Sequence, residues 1–401
     1  MKKKILIIDD SALMRRLLSD IINSDNRFVV EDLATNGLEG LDFIIKKRMD
    51  YDAVVLDINM PKMNGLELLE QLQKHRIKLK IIMVSTLTKE GAKETIIALE
   101  RGAFDFITKP ENYLVAKEDN FKRQLLDMLV VATNAPTTRV AADITTSRKK
   151  TESVEVRKPL SNSGGKMSVD LENGNDRVGK KGYVPVNKHI QFAPHLRYEG
   201  KSTMKKNKLV ALACSTGGPK ALQSVIPYLP KELDAPVVLV QHMPVGFTNS
   251  LAQRLNELSP ISVKEAADGE AITKGCVYIA PGGKQMKIIK DRNGYHISIL
   301  DEPARDGLRP CANIMYESLI DSDFDEITCV VLTGMGADGT NGIGMLGEKK
   351  NVYVIAQDEP TCTVYGMPKA IAEAKLVDEV VPLSKVADAI IKNVGVLNDG
   401  R

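Results

Sequence analysis

The chain has 401 residues, 43% of them hydrophobic, with a formal net charge of +3, a length that points to two or three folded units rather than one core. The positive excess sits in residues 134–204, where 13 Lys/Arg face 7 Asp/Glu. With no helix-turn-helix or comparable pattern beside it, a nucleic-acid-binding role is disfavoured. No run approaches the roughly 20 apolar residues of a membrane span, and the opening "MKKKILIIDDSALM" loses its apolar character at Asp9 and Asp10, too early for a signal peptide. Five cysteines without a C-x-x-C pair suggest neither a zinc site nor a disulfide framework. A cytoplasmic protein with reduced thiols and no direct membrane insertion is expected.

From residue 4 onward, "KILIID", "FVVEDLA", "DAVVLD", "KIIMVS" and "FDFIT" alternate with amphipathic stretches such as "ALMRRLLSDIIN" and "GLEGLDFIIKK". Strands and helices in that rhythm give βαβ units and a parallel sheet covered on both faces. Residues 1–133 are therefore expected to form one domain. Residues 134–204, rich in Ser, Thr, Asn, Lys and Gly, cannot bury enough surface to offset their ordering entropy and read as a flexible basic linker. Within them "YVPVNKHIQFAPHLRY" is apolar enough to dock. From 205 to 401 the rhythm returns in "LVALAC", "PVVLVQH", "CVYIAP", "EITCVVLTG" and "VYVIAQ". Asn293-Gly294 before "YHISIL" predicts a small antiparallel hairpin in an otherwise mainly parallel, doubly wound α/β domain.

In the first domain Asp9 and Asp10 end the first strand, Asp57 the third and Ser85 the fourth, while Lys109 follows the fifth in "ITKP". Ligands of open α/β sheets sit at the carboxyl ends of the strands, where the strand order reverses. Three carboxylates gathered there repel one another unless a cation lies among them, and an all-oxygen set suits Mg²⁺. Each Asp taken singly reads equally as a helix N-cap. The constellation as a set resembles the receiver domain of two-component response regulators over roughly residues 3–130, which implies a flavodoxin-like fold. The resemblance makes Asp57 the phosphate acceptor and Asp9, Asp10 and Asp57 the Mg²⁺ ligands. It makes Ser85 the hydroxyl that turns to the phosphate, Lys109 its partner and Phe106 the aromatic switch; "MPKMNG", with Pro61 and Gly65, supplies the loop after the acceptor.

In the second domain "KLVALACSTGGPKA" ends a hydrophobic strand on Ser215 and Thr216 before two glycines and Pro219. The stretch fits neither phosphate-loop pattern and resembles G-x-S-x-G with Ala213 in the first position. Ser215 is thus either a mounted nucleophile or the cap of the helix that Pro219 begins. A nucleophile needs a base. Of five histidines, His75 lies in the first domain, His189 and His195 in the linker and His296 in the hairpin, leaving His242 at the end of "APVVLVQH". The strand "ITCVVLTGMGADGTNG" then carries Asp338 in a loop whose Gly334, Gly336 and Gly339 permit tight turns. Three strands would each deliver one member of an alcohol, imidazole and carboxylate set.

That order, Ser, His, Asp, differs from α/β-hydrolases. It resembles the chemotaxis response regulator protein-glutamate methylesterases (CheB family) through "STGG", "QHMPVGFT", "EAADGE", "YIAPGG", "LTGMGADG" and "VYGMPKA". The resemblance implies Ser215 as nucleophile, His242 as general base and Asp338 as its orienting partner, with Thr216 and the backbone N–H of Met335 near the oxyanion. It implies demethylation of glutamate γ-methyl esters and deamidation of glutamines on chemoreceptor cytoplasmic domains. A chemotaxis histidine kinase would be the phosphodonor, and the esterase itself would need no cofactor. Gly283, Lys284 and Gln285, where Asp then Lys-His is usual, and "RPCAN" in place of Arg-Pro-Ser-Val, depart from the pattern and bear on substrate contact.

Overall fold

The computed structural model describes residues 1–47, 50–110, 119–136, 207–292 and 294–397. The segment read as a linker, and with it "YVPVNKHIQFAPHLRY", lies outside the described residues apart from 134–136. The N-terminal sheet is formed by β1 (Lys3–Ile8), β2 (Phe28–Ala34), β3 (Ala53–Asp57), β4 (Ile81–Ser85) and β5 (Asp105–Thr108), in the order β2-β1-β3-β4-β5 with every pair parallel. Its central strands are continuously apolar because helices cover both faces: α1 (Ala12–Asn23), α2 (Gly37–Lys46), α3 (Gly65–Lys74), α4 (Lys89–Glu100) and α5 (Asp119–Thr133). Side chains fix where these helices begin. Ser11, Asn36, Asn64 and Thr88 each accept an amide of the first turn, a contribution of about 1 kcal/mol apiece. Ser11 is the cap of α1, so Asp9 and Asp10 are left for another purpose. The order reverses between β1 and β3, whose ladder pairs Ile8 with Leu56 and so sets Asp9 beside Asp57.

The second sheet contains β6 (Lys208–Cys214), β7 (Val237–Gln241), β8 (Ser262–Glu265), β9 (Cys276–Ile279), β12 (Glu326–Val331), β13 (Val352–Gln357) and β14 (Glu379–Val381). Their order is β14-β13-β12-β6-β7-β9-β8, again all parallel. The antiparallel hairpin of β10 (Gln285–Asp291) and β11 (Gly294–Leu300) turns through Gly294 at φ 122, as the sequence predicts. Helices α6 (Gly218–Gln223), α7 (Phe247–Leu258), α8 (Ala312–Glu317), α9 (Thr340–Gly347), α10 (Met367–Glu373) and α11 (Val386–Val394) connect the strands. The edge strands β8 and β14 escape sequence reading, being four and three residues long with charged positions facing outward. The chain fills one flank from β6 and then the other, so β6 is the switch point, flanked by β7 and β12. The register that pairs Cys214 with Gln241 and Ala213 with Val331 brings Ser215 and His242 off the sheet at one level.

The two sheets belong to one compact unit. A continuous apolar cluster runs from Ile96, Leu99 and Phe106 into Phe247, Leu251 and Ala252. Across this seam Phe106 stacks on Phe247, with ring centroids 4.6 Å apart and planes at 23°. Glu100 accepts from Arg254 Nε at 2.7 Å and Nη2 at 3.2 Å, and from Gln223 Nε2 at 3.0 Å.

Candidate functional site

The break after β6 follows from steric demand. Gly217 takes φ 77 and starts α6 without any side-chain cap, so Ser215 is not a helix cap and its hydroxyl is free for other use. A Cβ on Gly218 would lie 1.9 Å from Gln241 Oε1, so only glycine lets the buried Gln241 reach the turn. Gln241 then donates to the carbonyls of Ser215 at 3.0 Å and His242 at 3.1 Å, tying the ends of β6 and β7 together. The Ser215 amide donates to Thr333 O at 3.0 Å. Gly334 packs against the serine so closely that a Cβ there would sit 2.9 Å from Ser215 Cβ.

His242 Nε2 lies 2.8 Å from Asp338 Oδ2, with both side chains largely buried. Asp338 also accepts from the amides of Ala312 (2.6 Å), Asn313 (3.0 Å) and Gly339 (2.9 Å) and from Cys311 Sγ (3.2 Å). Burial alone would push this carboxyl up, but the imidazole and the two amides of α8 outweigh it and hold the group below the usual carboxylate range. Among the described residues no hydrogen bond joins Ser215 Oγ to the imidazole. Both nevertheless line one cavity of about 460 Å³ with Thr216, Arg309 and Met335, and catalytic contacts of this kind tighten when substrate arrives. The Met335 amide makes no hydrogen bond among the described residues, and Met335 is exposed. Asp105, Phe106 and Asp127 of the N-terminal domain line the same cavity. Burial pushes Asp105 up to about 6, with the Thr216 hydroxyl and the Phe106 amide as its counterweights.

Two segments that depart from the family pattern lie close to Asp338. The amides of Ala312 and Asn313 and the Cys311 thiol hold the Asp338 carboxylate, while Gln285 and the Asn313 side chain accept from backbone amides of neighbouring loops. Buried carboxamides such as Gln241, Gln285 and Asn313 carry no spacing signal that would have marked them. The other described histidines are accounted for structurally: His75 ends α3 and His296 pairs with Asp291 at 2.7 Å.

At the rim of the N-terminal sheet, oxygens of Asp9, Asp10 and Asp57 all lie within 4.8 Å of one another. Lys109 Nζ reaches Asp57 Oδ2 at 2.8 Å and Asp9 Oδ2 at 3.2 Å. Burial pushes Asp57 up to about 6 against the pull of Lys109, and raises Asp9 likewise. Asp9 Oδ2 is buried and has the Lys109 ammonium as its one partner among the described residues. One lysine does not neutralise this set, and three converging carboxylates that share a single ammonium fit a hard divalent cation. Ser85 stands at the end of β4 as expected, but its hydroxyl faces α4, donating to Gly91 O at 3.2 Å and accepting from Thr95 at 2.7 Å. To turn toward Asp57 it must exchange those bonds.

A family model described as CheB methylesterase matches residues 210–390, and one described as response regulator receiver domain matches residues 5–117. A protein-glutamate methylesterase/protein-glutamine glutaminase 1 of Syntrophomonas wolfei is 39% identical over 97% of this chain and 99% of its own length. The protein-glutamate methylesterase/protein-glutamine glutaminase of Bacillus subtilis is 38% identical over 96% of this chain and 97% of its own. The crystal structure of the Thermotoga maritima CheB methylesterase catalytic domain, 39% identical, is covered in full by 47% of this chain, with a TM-score of 0.46.

Proposed function

The chain belongs to the CheB methylesterase family, with a response regulator receiver domain ahead of the esterase, and from that premise we propose the roles its residues take in phosphorylation-controlled demethylation of chemoreceptors in chemotaxis. Ser215 Oγ attacks the carbonyl of a glutamate γ-methyl ester. His242 takes the serine proton on the ring nitrogen turned away from Asp338, and Asp338 fixes the tautomer and stabilises the imidazolium. Thr216 and the Met335 amide lie where the oxyanion forms; losing one such donor costs roughly 3 to 4 kcal/mol. The imidazolium returns its proton to the leaving methoxide, methanol departs, and water activated by His242 hydrolyses the acyl-serine to a glutamate carboxylate. A glutamine side chain follows the same path with ammonia as the leaving group.

On the receiver, Asp57 accepts a phosphoryl group from a chemotaxis histidine kinase, and Lys109 pairs with it. Asp9, Asp10 and Asp57 would hold Mg²⁺, which when bound supplies positive charge against the phosphoryl oxygens. Before phosphorylation the receiver stays docked: Phe106 on Phe247 and Glu100 on Arg254 hold Asp105 and Asp127 against the nucleophile's cavity. Moving Ser85 and Phe106 would loosen that seam. No helix among the described residues is long and apolar enough to cross a membrane.

The observation that supports this reading best is the hydrogen bond to a buried carboxylate made by the imidazole that shares a cavity with Ser215. Its test is methanol and ammonia release from methylated and glutamine-bearing receptor: Ser215→Ala should abolish both. Unchanged release would leave a non-catalytic signalling adaptor as the better account.

A further inference from the structure

Asp338 can hold an imidazole in one orientation only if its own carboxylate cannot rotate, and the groups that prevent rotation lie mostly outside its loop. Both oxygens are engaged by the Cys311–Asn313 turn: Oδ2 by the Ala312 amide, Oδ1 by the Asn313 amide and the Cys311 thiol. Burial and the neighbouring Asp338 push that thiol up to about 12, so it remains a neutral donor at any working pH. The turn is clamped on each side by a buried carboxamide. Gln285, on β10 and with no exposed surface, accepts from the Cys311 amide at 2.9 Å and donates to Leu308 O at 3.1 Å and Pro303 O at 3.3 Å. Asn313 accepts from the amides of Gly339 at 3.1 Å and Gly342 at 2.7 Å, fastening the turn to the loop that carries Asp338. Neither side chain lines the cavity shared by Ser215 and His242.

We propose that Gln285 and Asn313 are positioning residues for the hydrolysis, two neutral carboxamides that lock the Cys311–Asn313 turn against Asp338 so that Asp338 keeps His242 in a single tautomer. The inference rests on the triad roles above. The chemistry explains the choice of amides. Gln285 has to accept and donate at once, which neither a carboxylate nor an ammonium can do. A formal charge at either place would compete with Asp338 for the imidazole. Because both sites are buried, losing a partner strands a backbone N–H or C=O, and the turn relaxes to find another. The carboxylate then swings, and the imidazole loses its fixed proton. Substrate binding is spared, since neither residue touches the cavity.

The experiment uses the full chain with a phosphodonor and methylated receptor. Gln285→Met and Asn313→Leu should lower kcat by at least about tenfold while KM stays within about twofold, the pattern of a lost transition-state interaction. They should also weaken the downfield proton resonance of the imidazole N–H held by Asp338. Gln285→Glu, which keeps the acceptor, loses both donors and adds a formal charge, should lower kcat at least as far as Gln285→Met. Gln285→His, with one acceptor and one donor nitrogen, should recover most of the lost kcat and the resonance. Ser215→Ala runs in parallel and should abolish turnover while leaving the resonance in place. An active Ser215→Ala would defeat the triad reading itself. An inactive Ser215→Ala together with wild-type kcat and an intact resonance in Gln285→Glu, or in folded Gln285→Met and Asn313→Leu, would overturn the positioning role alone.

Discussion

The two parallel sheets carry their chemistry at the same place, the carboxyl ends of strands beside a switch point, yet treat buried carboxylates in opposite ways. Asp338 has a donor for each oxygen and is held below the ordinary carboxylate range. Asp9 and Asp57 share one lysine between them and are pushed up. A satisfied carboxylate is a fixed part, built to orient a neighbour without changing state. An undersupplied set stores an unmet demand for positive charge, which is what a site that must bind a cation and accept a phosphoryl group requires.

The largest expected effect separates the two sites. Ser215→Ala should lower methanol release by at least about 10⁴-fold, while phosphorylation of Asp57, followed by mass spectrometry, proceeds as before. Next, Asp338→Asn should lower kcat by about 10²- to 10⁴-fold, since an amide cannot fix the imidazole tautomer. Its signature in stability follows from the sign of the shift. Because the folded value is depressed, Asp338 contributes stability that is present above the ordinary carboxylate range and lost as pH falls through the folded value. Acid unfolding of Asp338→Asn should lack that component.

How much of this the sequence disclosed depends on the kind of signal. Continuous apolar runs marked the central strands of both sheets, and strand-end Asp residues marked the receiver cluster because five informative positions converge on one rim. His242 emerged because the other histidines had visible alternatives. Asp338 was legible only as an acidic residue in a glycine-rich loop after a strand. Gln241 was not legible, and Gln285 and Asn313 stood out only as departures from a family pattern, since a buried carboxamide looks like a loop residue until its backbone partners, 26 to 29 residues away in most cases, are brought to it. The seam was hidden for the same reason: Phe106 meets Phe247, and Glu100 meets Arg254, across more than a hundred residues.

The seam links the two kinds of site, and smaller effects probe it. An aromatic pair contributes about 0.5–1.5 kcal/mol and a partly exposed ion pair about 0.2–1 kcal/mol. Phe106→Ala combined with Glu100→Ala should therefore raise methanol release without phosphodonor by roughly 3- to 70-fold, with little change once phosphodonor is added. Unchanged basal release would mean that the docked receiver does not restrain the esterase. The smallest effect belongs to the undersupplied cluster. A raised carboxyl pKa means the folded chain binds that proton more firmly, so stability falls as pH rises from about 4 through about 6. Asp57→Asn should remove this loss and stabilise the Mg²⁺-free chain at pH 7 by on the order of 1 kcal/mol, a difference that saturating Mg²⁺ should reverse. Denaturant titrations with and without Mg²⁺ read it directly.

The claim that a charge-hungry receiver site governs a charge-satisfied esterase site is tested most directly by methanol release from methylated receptor with and without a small-molecule phosphodonor. Wild type should accelerate with phosphodonor, Asp57→Ala should remain at the basal rate in both conditions, and Ser215→Ala should release none. Acceleration that persists in Asp57→Ala would contradict the account.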